Sequence, residues 1–203
     1  RALQAQINPH FIYNTLNSVS CMALLHQENE ISQVLGSLTK VIRYNLKKPD
    51  AIVHLEEELE NIYSWCRIQE CCYEQSIRFS YDIQVPADQI KIPKLIIQPL
   101  IENAVVHGAN FAGEDARICL HIWMEGKCLY IVVWDNGTDV DTDRINRLAC
   151  GKGEVCSDSL GVRNVYERIR LRYGSAGQMR FEQDEEHHTL VQIVIPAEMD
   201  QSL

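Results

Sequence analysis

The sequence predicts an α+β protein in which a helical hairpin precedes an α/β sandwich built on a mixed sheet. Three observations carry this. Two apolar stripes at helical spacing run through the first 48 residues. From about Ser76 the texture changes to strand-like segments at 77–84, 116–125, 128–134 and 179–195. Helical stretches at about 94–107 and 161–173 interleave with those strands. Segments 116–125 and 128–134 are joined by the Gly126-Lys127 turn, a hairpin that argues against a doubly wound parallel sheet.

Taken in order, residues 2–25 read as a helix whose stripe is Ala5, Pro9, Ile12, Leu16, Val19 and Ala23. Gln27 to Glu30 form a polar turn, and 31–48 read as a second helix with Ile31, Val34, Leu35, Leu38, Val41 and Ile42 inward. One hairpin cannot cover both stripes, so two copies are expected to pair as a four-helix bundle, a homodimer. A third helix places Leu55, Leu59, Ile62 and Cys66 on one face and serves as a connector. The expected division is 1–50 for the hairpin, 51–75 for the connector and 76–203 for the sandwich, with 138–160 a long non-periodic loop of the kind that carries function.

At 203 residues, 46% hydrophobic and 23% charged, the chain can bury roughly 70% of its unfolded surface. Lys and Arg total 19 against 28 Asp and Glu, a net charge of -9 with no basic run, which excludes duplex nucleic acid as a partner. The longest apolar runs are six or seven residues, against the roughly 20 that span a bilayer. The eight cysteines include no CxxC pair and read as reduced, small buried hydrophobes without metal chemistry. The chain begins with Arg1 inside a helical pattern, as a piece of a longer protein would.

Four groups of residues suggest chemistry. His10 lies about 160° around the helix from Ile12, so it faces outward with Gln6, Asn14, Asn17 and Cys21, and Asn14 sits one turn along. Pro9 either starts a helix capped by Asn8 or kinks a continuous one, and the stripe through Ala5 favours the kink. In IIQPLIENAVVHG, residues 96–108, Asn103 and His107 share a helix face beside Glu102. A carboxamide oxygen suits Mg²⁺, and an imidazole can donate to phosphate. In IVVWDNGTDV, residues 131–140, an apolar strand ends on Asp135, and Asn136 and Gly137 form a turn. In SLGVRNVYERIRLRYG, residues 159–174, Gly161 opens a helix whose first turn carries Arg163 and Asn164, a setting suited to a polyphosphate. Each taken alone has an ordinary structural reading: a surface histidine, a helix end, a strand with its turn, a basic helix.

The string INPHFIYNTLNS, residues 7–18, closely resembles the phosphoacceptor segment of the LytS/YesM-type bacterial sensor histidine kinases. The three later strings resemble, in order, the N box, the DNG box and the lid-end segment of the GHKL (Bergerat-fold) ATPases, so the likeness covers roughly residues 3–197. The resemblance implies autophosphorylation on His10 from ATP, with 1–50 as the dimerisation and phosphotransfer hairpin and 76–203 as the ATP-binding domain. It implies that Asn14 helps orient water for dephosphorylation and that Asn103 holds Mg²⁺ on the phosphates, near His107. Asp135, with Gly137 beside it, would take the adenine amino group, Gly161, Arg163 and Asn164 the triphosphate, and 138–160 would be the ATP lid. Glu102 would act as a base or orient its neighbours. It further implies a response-regulator protein as partner, and a chain that is the cytoplasmic portion of a bacterial plasma-membrane protein anchored by segments absent here. The sequence departs from the pattern at Phe11, where many kinases carry an acid, and at Asp139 and Ser159, where glycines are usual. An extra carboxylate and two lost glycines predict weaker nucleotide affinity. Two other classes fit the same strings: a degenerate ATP-binding scaffold, and another kind of GHKL ATPase.

Overall fold

The computed structural model describes residues 9–46, 48, 51–72, 77–108, 116–137, 141–149 and 160–200. α1 (Pro9–Leu25) and α2 (Asn29–Asn45) form the expected antiparallel hairpin. Gln27 takes a left-handed φ of 62°, and the Glu28 N–H returns to Ala23 O at 2.9 Å to close the end of α1. Residues 1–8 lie outside the described residues, and with them Ala5 and the choice between cap and kink at Pro9. Between the helices Ser20 and Ser32 share a hydroxyl hydrogen bond at 2.8 Å. The stripes are only partly covered: Ala23 and Val41 are buried, whereas Val19 is 42% and Ile31 51% exposed, alongside Phe11 at 69% and Met22 at 58%. The second face of α2 is taken by α3 (Leu55–Cys72), on which Leu55, Leu59, Ile62 and Cys66 are buried as their spacing predicts. Burial pushes the Cys66 thiol up to about 12, which makes it inert.

The main sheet has five strands in the order β2-β4-β5-β7-β6. These are β2 (Ile77–Ile83), β4 (Ala116–Glu125), β5 (Cys128–Asp135), β6 (Gln178–Gln183) and β7 (Thr189–Pro196). β2 pairs parallel with β4 and the other pairs are antiparallel, so the sheet is mixed. The segment read as one strand over 179–195 is two, turned where Asp184 Oδ1 accepts the N–H groups of Glu186 and His188, each at 2.9 Å. α4 (Gln98–Gly108) and α6 (Leu160–Tyr173) cover one face, where Leu100, Ile101, Val165 and Ile169 meet Ile118, Leu120, Ile131, Val133 and Ile193. Within 138–160, read as a loop without periodicity, α5 (Thr142–Ala149) forms a short helix. A second sheet, in the order β1-β3-β8, joins Ile52–His54, Ile90–Pro93 and Glu198–Met199.

A buried carboxylate ties hairpin, connector and sandwich together. Glu58 of α3 is fully buried. Its Oε2 accepts the N–H of Leu95 at 2.8 Å and the hydroxyl of Tyr44 at the end of α2. Its Oε1 accepts the N–H groups of Ile97 at 3.2 Å and Gln98 at 3.5 Å. Leu95 has a left-handed φ of 59°, so the turn into α4 needs an outside acceptor for its N–H groups. Lys94, also fully buried, sits 4.9 Å from the Tyr44 ring centroid and donates to Asn45 O at 3.4 Å. Its own carbonyl accepts from Arg168 of α6 at 2.7 Å. Burial raises the Glu58 proton affinity, and the four donors hold that rise back.

All four contacts require an acceptor at Glu58. Glu58→Gln would turn an amide toward two donors, so unfolding by denaturant should show a loss of about 1–3 kcal/mol. Unchanged or raised stability would show that neutralising the buried charge outweighs the lost acceptors.

Candidate active site

α4 begins with Gln98 and Pro99, the latter at a first-turn position where its missing N–H costs nothing. Its apolar residues Leu100, Ile101, Ala104 and Val105 are buried, and Glu102 and Asn103 between them are half-buried. Gln98 Nε2 donates to Glu102 Oε1 at 2.6 Å, and Asn61 Nδ2 of α3 donates to Gln98 Oε1. Burial raises the Glu102 carboxyl above its usual range, against the pull of the Gln98 bond. Among the described residues no hydrogen bond engages the Asn103 carboxamide, whose oxygen is a hard donor that fits Mg²⁺. His107 lies in the last turn of α4, and its side chain is outside the described residues.

β5 delivers Asp135 to the end of the sheet, 5% exposed. Its Oδ1 accepts the Gly137 N–H at 3.0 Å. Burial pushes its carboxyl up to about 7, with Gly137 and the nearby His188 pulling it back. Asn136 holds the turn onto β4, its N–H on Arg117 O at 3.1 Å and its Oδ1 taking the Arg117 N–H at 2.6 Å. Thr189 of β7, opposite Asp135 in the register, donates from Oγ1 to Gly137 O at 3.3 Å. Sequence reasoning missed Thr189, because only the pairing of β5 with β7 places it there. It also passed over Gln98, though that residue stands inside the string that drew attention to Glu102.

α6 starts against α4. A β-carbon at Gly161 would lie 3.6 Å from Pro99 Cβ, ordinary contact distance, so the LGVRN turn stands beside the first turn of α4. Arg163 Nε donates to Glu167 Oε1 of its own helix at 2.8 Å, and Asn164 is exposed. Asp139 and Ser159 lie outside the described residues. His10 belongs to the hairpin rather than the sandwich and is exposed, as the wheel predicts, with Nδ1 3.2 Å from Asn14 Nδ2. Counting along the antiparallel helices from the Ser20–Ser32 contact, His10 lies level with the last turn of α2, the end that joins α3.

The sequence profile of the histidine kinase family matches residues 1–77. The sensor histidine kinase YesM of Bacillus subtilis is 34% identical over 196 residues, covering 97% of this chain and 33% of YesM. The sensor protein LytS of Streptococcus mutans is 30% identical over 195 residues, 94% of this chain and 33% of LytS. The chain belongs to the histidine kinase family. It spans about a third of the length of the curated relatives it matches. The catalytic domain of the histidine kinase ThkA has the same fold, with a TM-score of 0.57 at 16% identity over 75% of this chain and 100% of that one. The sandwich therefore has the GHKL-like fold of histidine kinase catalytic domains, the fold that the strings resemble. Among the described residues no helix is long and apolar enough to cross a membrane.

Asp135 has an unfolded value of 3.8 and a folded one of about 7, so the folded state keeps a proton that the unfolded chain has lost. Stability from this group is complete below about pH 4 and falls as pH rises through 7. Asp135→Asn removes that cost and should raise stability by about 2–4 kcal/mol at pH 8 and little at pH 4. Thermal unfolding at both pH values checks this, and an equal change at both would contradict it.

Proposed function

We propose that this chain is the catalytic core of a sensor histidine kinase that phosphorylates its own His10 from ATP. The phosphoryl group then passes to an aspartate of a separate response-regulator protein. The observation that carries the reading is the exposed His10 ring held at Nδ1 by Asn14, at the end of the hairpin joined to the kinase sandwich. A carboxamide can present either end to Nδ1. With Oδ1 turned to it, the ring proton stays on Nδ1 and the lone pair sits on Nε2, the nitrogen that attacks the γ-phosphorus. The N–P bond forms as the bond to the ADP oxygen breaks, and the resulting imidazolium then gives up its Nδ1 proton from the Asn14 hydrogen bond to Glu102 as base.

Most of the rate comes from positioning and charge neutralisation. Ionised Asp135 accepts from the adenine amino group, with Gly137 packed beside it. The N–H groups of the first turn of α6 at Gly161, with Arg163 and Asn164, face the triphosphate. Arg163 must leave Glu167 to do so, an exchange of one exposed pair for a stronger charge. His107 donates to a phosphate oxygen. Asn103 would hold Mg²⁺, which supplies charge neutralisation on the phosphates. The apolar side chains left exposed on the hairpin, Phe11, Val19, Met22 and Ile31, fit a second copy and a four-helix bundle. In the whole protein this core would lie on the cytoplasmic side of a bacterial plasma membrane, anchored by segments outside this chain.

The test incubates the chain and its His10→Gln variant with Mg²⁺ and γ-labelled ATP. The proposal predicts acid-labile, base-stable label on the parent chain and none on the variant. Label that persists in His10→Gln, or a nucleotide-bound parent that never labels, contradicts it; the second result is the one a degenerate scaffold would give.

A further inference from the structure

Gln98 is gripped by α3 through both its backbone and its side chain. Its N–H points to Glu58 Oε1 at 3.5 Å, and its side-chain Oε1 accepts from Asn61 Nδ2. Glu58 and Asn61 are neighbours three residues apart on α3, 0% and 2% exposed, and Gln98 is 4% exposed. The direction of the chain of bonds is fixed chemically. The Glu102 carboxylate only accepts, so Gln98 turns Nε2 to Glu102 Oε1, 2.6 Å away, which leaves its Oε1 to accept from Asn61 Nδ2. Glu102 is thus held as an acceptor through Oε1, and Oε2 has no partner among the described residues.

We propose that Gln98, oriented by Asn61, is a positioning residue that fixes the Glu102 carboxylate for phosphoryl transfer. This rests on the reading of Glu102 as the group that serves the reaction on His10. Gln98 touches neither substrate nor phosphoacceptor in this account; it acts through Glu102 alone. Because α3 also receives Tyr44 of α2 on Glu58, the carboxylate is referenced to the same helix that holds the base of the hairpin.

Gln98→Met keeps the side-chain volume and removes both side-chain bonds. The rate of phosphohistidine formation at saturating ATP should fall about tenfold, with the KM for ATP changed less than about twofold. Added to Glu102→Gln, the same substitution should cost nothing further, since its route to the reaction is already gone. A separate readout needs no activity: in the intact chain, the side-chain amide proton signals of Gln98 should shift and exchange faster in Glu102→Ala. A parental rate in Gln98→Met, an equal loss in the Glu102→Gln background, or Gln98 signals indifferent to Glu102→Ala each overturns the proposal alone. A nucleotide-bound parent chain that never labels overturns the kinase reading and the catalytic part of the proposal with it.

Discussion

The Glu58 carboxylate is the constraint on which the arrangement of hairpin and kinase sandwich depends. A fully buried carboxylate is expensive unless its lone pairs are filled, and here three backbone N–H groups and the Tyr44 hydroxyl fill them. Those donors come from three places: the last turn of α2, the turn that carries Leu95 at positive φ, and the start of α4. None of these can move alone without stranding a donor or the charge. Through Gln98 the same point reaches Glu102. The end of the hairpin level with His10 and the start of the N-box helix are thus bound to one side chain of the connector.

Asp135 presents the opposite balance. It is nearly as dry as Glu58, yet among the described residues a single backbone N–H reaches it, at 3.0 Å, and burial lifts its carboxyl to about 7. A structural carboxylate would be given more donors. The shortfall is what an amino group of a bound base would make good, so in the proposed function this residue lowers the stability of the nucleotide-free protein in exchange for adenine recognition. Thr189 holds the neighbouring Gly137 carbonyl from the next strand.

Elements with a long periodic pattern could be read from the sequence: the two hairpin helices, α3, and the strands that became β2, β4 and β5. The small sheet of β1, β3 and β8 could not, because strands of three, four and two residues are too short to repeat a two-residue alternation recognisably. α5 was hidden for a similar reason, eight residues with few apolar positions. Splitting 179–195 into two strands depended on the Asp184 turn, whose hydrogen bonds carry no signature in hydropathy. Of the site, His10, Asn14, Glu102, Asn103 and Asp135 stood out as polar residues in telling places. Glu58 left a readable sign too: it stands three after Leu55 and four before Ile62, a carboxylate inside an apolar stripe. Thr189 and the pairing of Asn61 with Gln98 required tertiary structure, since their partners lie 52 and 37 residues away.

If Glu58 is the joint between hairpin and sandwich, loosening it from the hairpin side must be felt at the start of α4. Native-state amide hydrogen exchange in Tyr44→Phe tests this directly, because the substitution removes one donor and leaves the ring in place. The account predicts faster exchange at the N–H groups of Leu95, Ile97 and Gln98, with the amides of β5 and β7 unchanged. Exchange at those three positions equal to that of the parent chain would contradict it, and would mean that the start of α4 does not depend on the Tyr44–Glu58 bond.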